Sequence, residues 1–175
     1  MSGLAHLGVG LAAKPFAPEV NVGWLILGNE VLDLLWGGFF AAGLETVPGS
    51  TAPGAHPPWW DHSLLMAVVW SVLFGMLASW LGRRSRKRTH IGAVFGLMVF
   101  AHWVLDWITH PMTAVIPGDK GMPLAFGNSP LLGLGLYRSL TAAYATEVGW
   151  IVVGVAVYVT WRVRNRRTRM VGEIA

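Results

Sequence analysis

Four stretches of this sequence are long and apolar enough to cross a bilayer, and that fact limits the chain to very few architectures. A membrane-crossing helix needs about 20 mostly apolar residues. Residues 60–81, 90–110 and 139–161 meet this requirement, and residues 20–44 do so while carrying Glu30 and Asp33. Charged residues are only 13% of the chain, against about 25% in soluble domains. So little charge cannot cover the surface of a water-soluble protein of this size, and lipid is expected to replace water over much of it. The ten tryptophans suit membrane interfaces and helix packing. The expected fold is all-α: one integral membrane domain, a polytopic bundle of four transmembrane helices preceded by a short N-terminal helix. That short piece, "SGLAHLGVGLAA", ends at Lys14 and Pro15 and is too short to cross. It is expected either to lie at the interface or to tuck into the bundle.

The net charge of +4 invites comparison with nucleic-acid binders, but its distribution points elsewhere. Most of the basic residues gather in "RRSRKR" (83–88) and "RVRNRRTR" (162–169), each abutting an apolar run. Such flanks mark the cytoplasmic ends of spans. Loop 83–88 and tail 162–175 are therefore expected on the cytoplasmic side, and no nucleic-acid partner is expected. The Pro- and Gly-rich loops 46–58 and 111–137 then lie on the far side as ordered turns or lids. No basic n-region opens the chain, so no cleavable signal is expected. The absence of cysteine excludes disulfides, thiolate metal sites and cysteine nucleophiles.

Against this apolar background the ionisable residues stand out. The segment "AHWVLDWITHP" (101–111) places His102, Asp106 and His110 at i, i+4 and i+8. On a helix they share a stripe of roughly 80°, which must face protein because lipid cannot satisfy it. At 1.5 Å per residue, Asp106 falls ~9 Å and His102 ~15 Å below the outer end of their span. Asp61 and His62 sit at the mouth of the preceding span, Glu147 ~14 Å down the last one, and Asp33 and Glu30 ~17 and ~21 Å down the first. His6 reaches the same zone if the N-terminal helix docks on the bundle. Several helices thus bring acids and imidazoles to the outer half of the bundle.

Such a set can bind a divalent metal or relay protons. A metal accounts for the burial best, because its charge offsets two or three carboxylates and keeps the imidazoles neutral. Other polar residues have plainer explanations. Asp61 precedes an apolar run and is expected to N-cap it. His56, in a Pro-rich loop, is expected to be solvated, and Glu45 and Asp119 to be interfacial. For His110, just before Pro111, interfacial water and the site are equally open. No nucleophile elbow surrounds Ser63, so a serine hydrolase is not expected.

Taken together, the motifs resemble those of bacterial membrane-bound metal-dependent hydrolase-like proteins. The early histidine is in "AHLGVGLAAKP" (His6), the acidic motif in "LGNEVLDLLW" (Glu30, Asp33), the His-Ser pair in "DHSLL" (His62, Ser63), and the His-Asp pair in "AHWVLDWITHP" (His102, Asp106). "GLGLYRS" (133–139) and Glu147 are similar to a subgroup of such proteins. The better-described members carry Pro-Asp-x-Asp where this chain has Glu30 and Asp33 separated by two residues. The resemblance implies a metal-assisted hydrolase at the bacterial inner membrane, acting on a lipid-like or phosphoester substrate.

The sequence therefore predicts a divalent-metal site of Asp33, His62, His102 and Asp106, with His6 as a further ligand. Zn is the first expectation, with Mn or Fe as alternatives. Glu30 or Glu147 is the expected general base. Two rival readings remain open at this point. One is a small transporter or channel subunit passing metal ions or protons, and the other a structural protein whose buried polar pairs fix helix packing.

Overall fold

The apolar stretches fold as helices. The computed structural model describes residues 3–47, 49–50 and 52–172, with side chains described to residue 166. Among them are five α-helices: α1 (Gly3–Ala12), α2 (Val22–Ala41), α3 (Leu64–Leu81), α4 (Arg88–Thr109) and α5 (Leu140–Gly172). Val22–Ala41, Leu64–Leu81, Arg88–Thr109 and Leu140–Arg166 are long and apolar enough to cross a membrane. Their outward faces expose Leu34, Val72, Met76, Leu97 and Val152, a surface that suits lipid rather than water. Each expected span is recovered to within a few residues, except that α5 runs well past residue 161 through the basic tail.

Local chemistry sets the helix starts. Asn21 caps α2 by accepting from the Gly23 amide at 2.8 Å. Ser63 caps α3, its Oγ accepting from Met66 N at 3.2 Å and donating to the Trp59 carbonyl at 2.7 Å. That corrects the expectation that Asp61 is the cap.

The short helix α1 is inserted into the bundle, packing on α5, α2 and α4. It buries Ala5, His6, Gly8 and Gly10. Gly8 lies so close to the backbones of Trp150 and Gly154 on α5 that neither glycine has room for a Cβ. Small residues at such a crossing let two backbones meet. This contact carries His6 into the interior. After α1, Lys14 turns back to donate to the carbonyls of Pro18 (2.9 Å) and Val20 (2.5 Å).

Two long loops meet over the end of the bundle where α2 and α4 finish. Gly49, at φ +76°, faces Pro117 of the other loop, and a Cβ there would stand 2.7 Å from the Pro117 carbonyl oxygen. A two-residue hairpin, β1 (Met122–Pro123) with β2 (Leu131–Leu132), completes this cover. Met122 plugs into the core formed by Val31, Leu32, Ala67, Val99 and Trp103.

Candidate metal centre

At the loop-covered end, α2, α4 and the residue before the α3 cap aim polar atoms at one point. His62 Nε2 lies 3.2 Å from His102 Nε2, 3.4 Å from Asp33 Oδ1 and 3.4 Å from Asp106 Oδ2. His102 Nε2 is 3.3 Å from Asp106 Oδ2 and 3.8 Å from Asp33 Oδ1. A tetrahedral ion bound at 2.0–2.1 Å sets its ligand atoms about 3.3–3.4 Å apart. These five separations bracket that edge, so the donor spacing suits a divalent ion. His6, Asp33 and His102, and likewise His62, His102 and Asp106, could together hold a metal ion.

The orientation of the imidazoles is as informative as the distances. His62 Nδ1 lies 2.6 Å from Asp61 Oδ1, and His102 Nδ1 lies 2.6 Å from the Asn29 carbonyl oxygen. Both partners only accept, so each Nδ1 carries its proton. In the neutral rings the two Nε2 lone pairs then face each other and two carboxylates. Only a cation at their meeting point, or protonation, makes that arrangement favourable. Backing a ligand imidazole with a carboxylate or carbonyl is also the usual outer layer of a metal site. Trp103 Nε1 donates to the His62 carbonyl at 2.9 Å and steadies it further.

His6 brings α1 to the same place. Its ring stacks on His102 with centroids 4.0 Å apart, and its Nε2 is 3.6 Å from Asp106 Oδ1. Both ring nitrogens are buried and lack a hydrogen-bond partner. A satisfied core histidine would not leave both unpaired, so this ring is available as a ligand.

All five expected ligands, His6, Asp33, His62, His102 and Asp106, are thus brought together. The expected bases are not with them. Glu147 Oε2 accepts from Ala5 N at 2.9 Å and Oε1 from the Tyr137 hydroxyl at 2.5 Å. It serves a free amide in the first turn of α1 and pins that helix to α5. Glu30 is half-buried, with Oε1 buried and without a hydrogen-bond partner, and it makes no ion pair with the cluster among the described residues.

Other residues depart from expectation because the loops fold down over them. His110 is 5% exposed, with Nδ1 2.7 Å from Asp119 Oδ2. Asp119 is also buried, and it accepts from the amides of Met112 and Gly121. Burial alone would push its carboxyl up. His110 and the two amides outweigh that and hold it below the usual range. Glu45 is buried too, accepting from Trp60 N at 2.7 Å, with His56 Nδ1 3.5 Å away. Burial keeps its carboxyl above the usual range despite the Trp60 amide. His56 is half-buried and stacks on Trp59.

Asn29 is left out of the sequence reading, and Asp61 enters it only as a cap. Asn29 accepts from His102 through its carbonyl and donates from Nδ2 to the His6 carbonyl at 2.9 Å, joining α2, α4 and α1. Its signal is the i, i+4 spacing with Asp33 inside an apolar span. For Asp61 the signal is the acid–histidine sequence at the mouth of a span. No protein-family model matches this chain, and no curated protein or solved structure matches it either.

Proposed function

We propose that this is an integral membrane, metal-dependent hydrolase whose site lies between the ends of α2, α3 and α4. The observation that carries the reading is the convergence of His62 Nε2, His102 Nε2, Asp33 Oδ1 and Asp106 Oδ2 at 3.2–3.8 Å. A nitrogen–oxygen donor set without thiolate suits Zn, with Mn or Fe as alternatives. A divalent ion held there supplies Lewis acidity, polarising a carbonyl or phosphoryl oxygen and making water more acidic. The chain supplies the rest. Asp61 and Asn29 orient the imidazoles, and the two carboxylates fix the charge that the site can hold.

Beside the cluster is a cavity of about 90 Å³ lined by Asp33, His62 and Asp106 and by apolar side chains that include Trp36, Val47 and Met122. It admits a reacting group rather than a whole lipid, and its walls suit an ester with an apolar flank. Transport is less well supported. Beyond the cluster, towards the basic end, Val31, Leu32 and Val99 are buried, then Leu25 packed by Val94 and Met98. An ion path would have to cross this apolar packing. The basic loop and tail fit the cytoplasmic face of a bacterial inner membrane.

The test is elemental analysis of the detergent-purified full chain, prepared without chelator, beside His102→Ala and Asp106→Ala. About one metal per chain is expected in the wild type and a loss of roughly 10-fold or more in occupancy in both variants. A folded wild type that holds no metal and cannot be reloaded with Zn, Mn or Fe refutes the reading.

A further inference from the structure

His110 was one of three ionisable residues on the α4 stripe, yet it lies outside the metal cluster. Its surroundings are built with equal care. Its Nδ1 lies 2.7 Å from Asp119 Oδ2, and Asp119 is itself held by two amides. The His110 carbonyl accepts from Gly135 N at 2.7 Å, while Leu134 N donates to the Trp107 carbonyl at 2.9 Å. Gly133 runs so close to the His110 carbonyl that a Cβ there would collide. The "GLGLYRS" segment therefore serves to clamp the end of α4 and fix the position of His110.

The fixed ring faces chemistry. His110 lines the same cavity as Asp33, His62 and Asp106. It stands one helical turn above Asp106, a rise of ~6 Å. With Nδ1 2.7 Å from a carboxylate oxygen, the tautomer with its proton on Nδ1 is the favourable one, and Nε2 then keeps its lone pair. Nε2 has no partner among the described residues, and neither Glu30 nor Glu147 lines this cavity. His110 thus stands where the sequence had led us to expect a glutamate.

We propose that His110, positioned by Asp119, carries the proton in the hydrolysis, a role that rests on the metal-dependent reading above. Nε2 takes a proton from water as the water oxygen bonds to the carbonyl carbon or phosphorus of an ester. The bond from that atom to the leaving oxygen then breaks, and His110 returns the proton to the leaving oxygen. Ester and water become acid and alcohol, and no other reactant is needed. Asp119 is a positioning residue. It holds the imidazole and steadies its charged form without touching the substrate. The apolar cavity wall selects esters that bear a hydrocarbon flank.

The test uses the full chain in detergent, loaded with Zn, and two chromogenic probes, 4-nitrophenyl butyrate and bis(4-nitrophenyl) phosphate. The variants are His110→Gln and Asp119→Asn, with metal content measured in each. The His110 tautomer is read by ¹⁵N NMR on metal-free wild type and Asp119→Asn. His110→Gln is expected to keep its metal and lose about 100-fold or more of kcat on the probe that the wild type cleaves. Asp119→Asn should lose about 10-fold and shift the Nδ1 resonance of His110. A metal-loaded His110→Gln within about threefold of wild type overturns the proposal and leaves the hydrolase reading standing. So does loss of metal from His110→Gln, which would make His110 a ligand, or a wild-type spectrum with the proton on Nε2. A metal-loaded wild type that cleaves neither probe overturns the hydrolase reading and the proton role together.

Discussion

The two ends of the bundle are held together by opposite means. At the loop-covered end, helices meet through polar side chains, each placed by another: Asp61 holds His62, Asn29 holds His102 and His6, and Glu147 holds α1. At the basic end, α3 and α4 meet through glycine. A Cβ on Gly92 would stand 2.6 Å from the Gly75 carbonyl oxygen, and one on Gly96 2.7 Å from that of Ser71. The rest of that end is Ala13, Ala17, Val20 and Leu25 packed by Ile91, Val94 and Met98. Glycine packing asks nothing of a ligand. A polar cluster of two acids and three imidazoles needs its charges balanced, by a bound cation or by protons. The difference separates a region held by close backbone packing from one whose donors could hold a metal ion.

The largest expected effect comes from breaking the polar end. Asp106→Ala removes the carboxylate that faces His6, His62 and His102 at once. In the metal-loaded protein this should cost about 3–5 kcal/mol, as for removing one partner of a buried charged pair. Thermal unfolding in detergent, with and without chelator, reads it. Chelator should lower the Tm of the wild type and leave that of Asp106→Ala unchanged. A drop of the same size in both would mean that the site does not contribute to stability through a metal.

A subtler change at the same end separates orientation from ligation. Asp61→Asn keeps the shape of the side chain but removes the charge behind the His62 Nδ1–H. The protein should fold as before, while metal affinity falls about 10–100-fold, as expected when an outer-layer carboxylate is lost. Competition with a colorimetric chelator measures this. Unchanged affinity would show that Asp61 only fills space.

How far each end could be read from the sequence follows from the same contrast. Apolar runs announce spans directly, and i, i+4 spacing puts His102 and Asp106 on one face, so the helices and five converging residues were legible. The partners of those residues were not. Asp61 was read as a cap because an acid before an apolar run is ordinary cap chemistry, and Ser63, two residues on, took that place. Depth sets Glu147 level with the cluster, but depth says nothing about direction around a helix, and its carboxylate turns to Ala5 and Tyr137. His110 and Asp119 lie nine residues apart in a loop whose path no periodicity describes. Their pairing depends on two long loops meeting at Gly49 and Pro117, which is a tertiary event. Short-range patterns find the groups that carry charge. The groups that aim them are found only once the chain has folded.

The smallest expected effect on the site, and the sharpest check of the contrast, comes from damage to the glycine end. Gly92→Leu forces a side chain into the space occupied by the Gly75 carbonyl and the Ser79 side chain. Overpacking of this kind costs about 1–3 kcal/mol, and the Tm should fall accordingly. The cluster should not notice. Within α4, Gly92 is ten residues, or ~15 Å of helix, from His102, and α3 can give way towards lipid without moving α2. Metal content by elemental analysis should therefore equal that of the wild type in the fraction that remains folded. If Gly92→Leu emptied the site as thoroughly as Asp106→Ala, the two ends would be one cooperative unit, with the metal reporting on helix packing throughout. If the metal stays while the Tm falls, the ends are separable, and the polar end keeps its geometry through its own side chains.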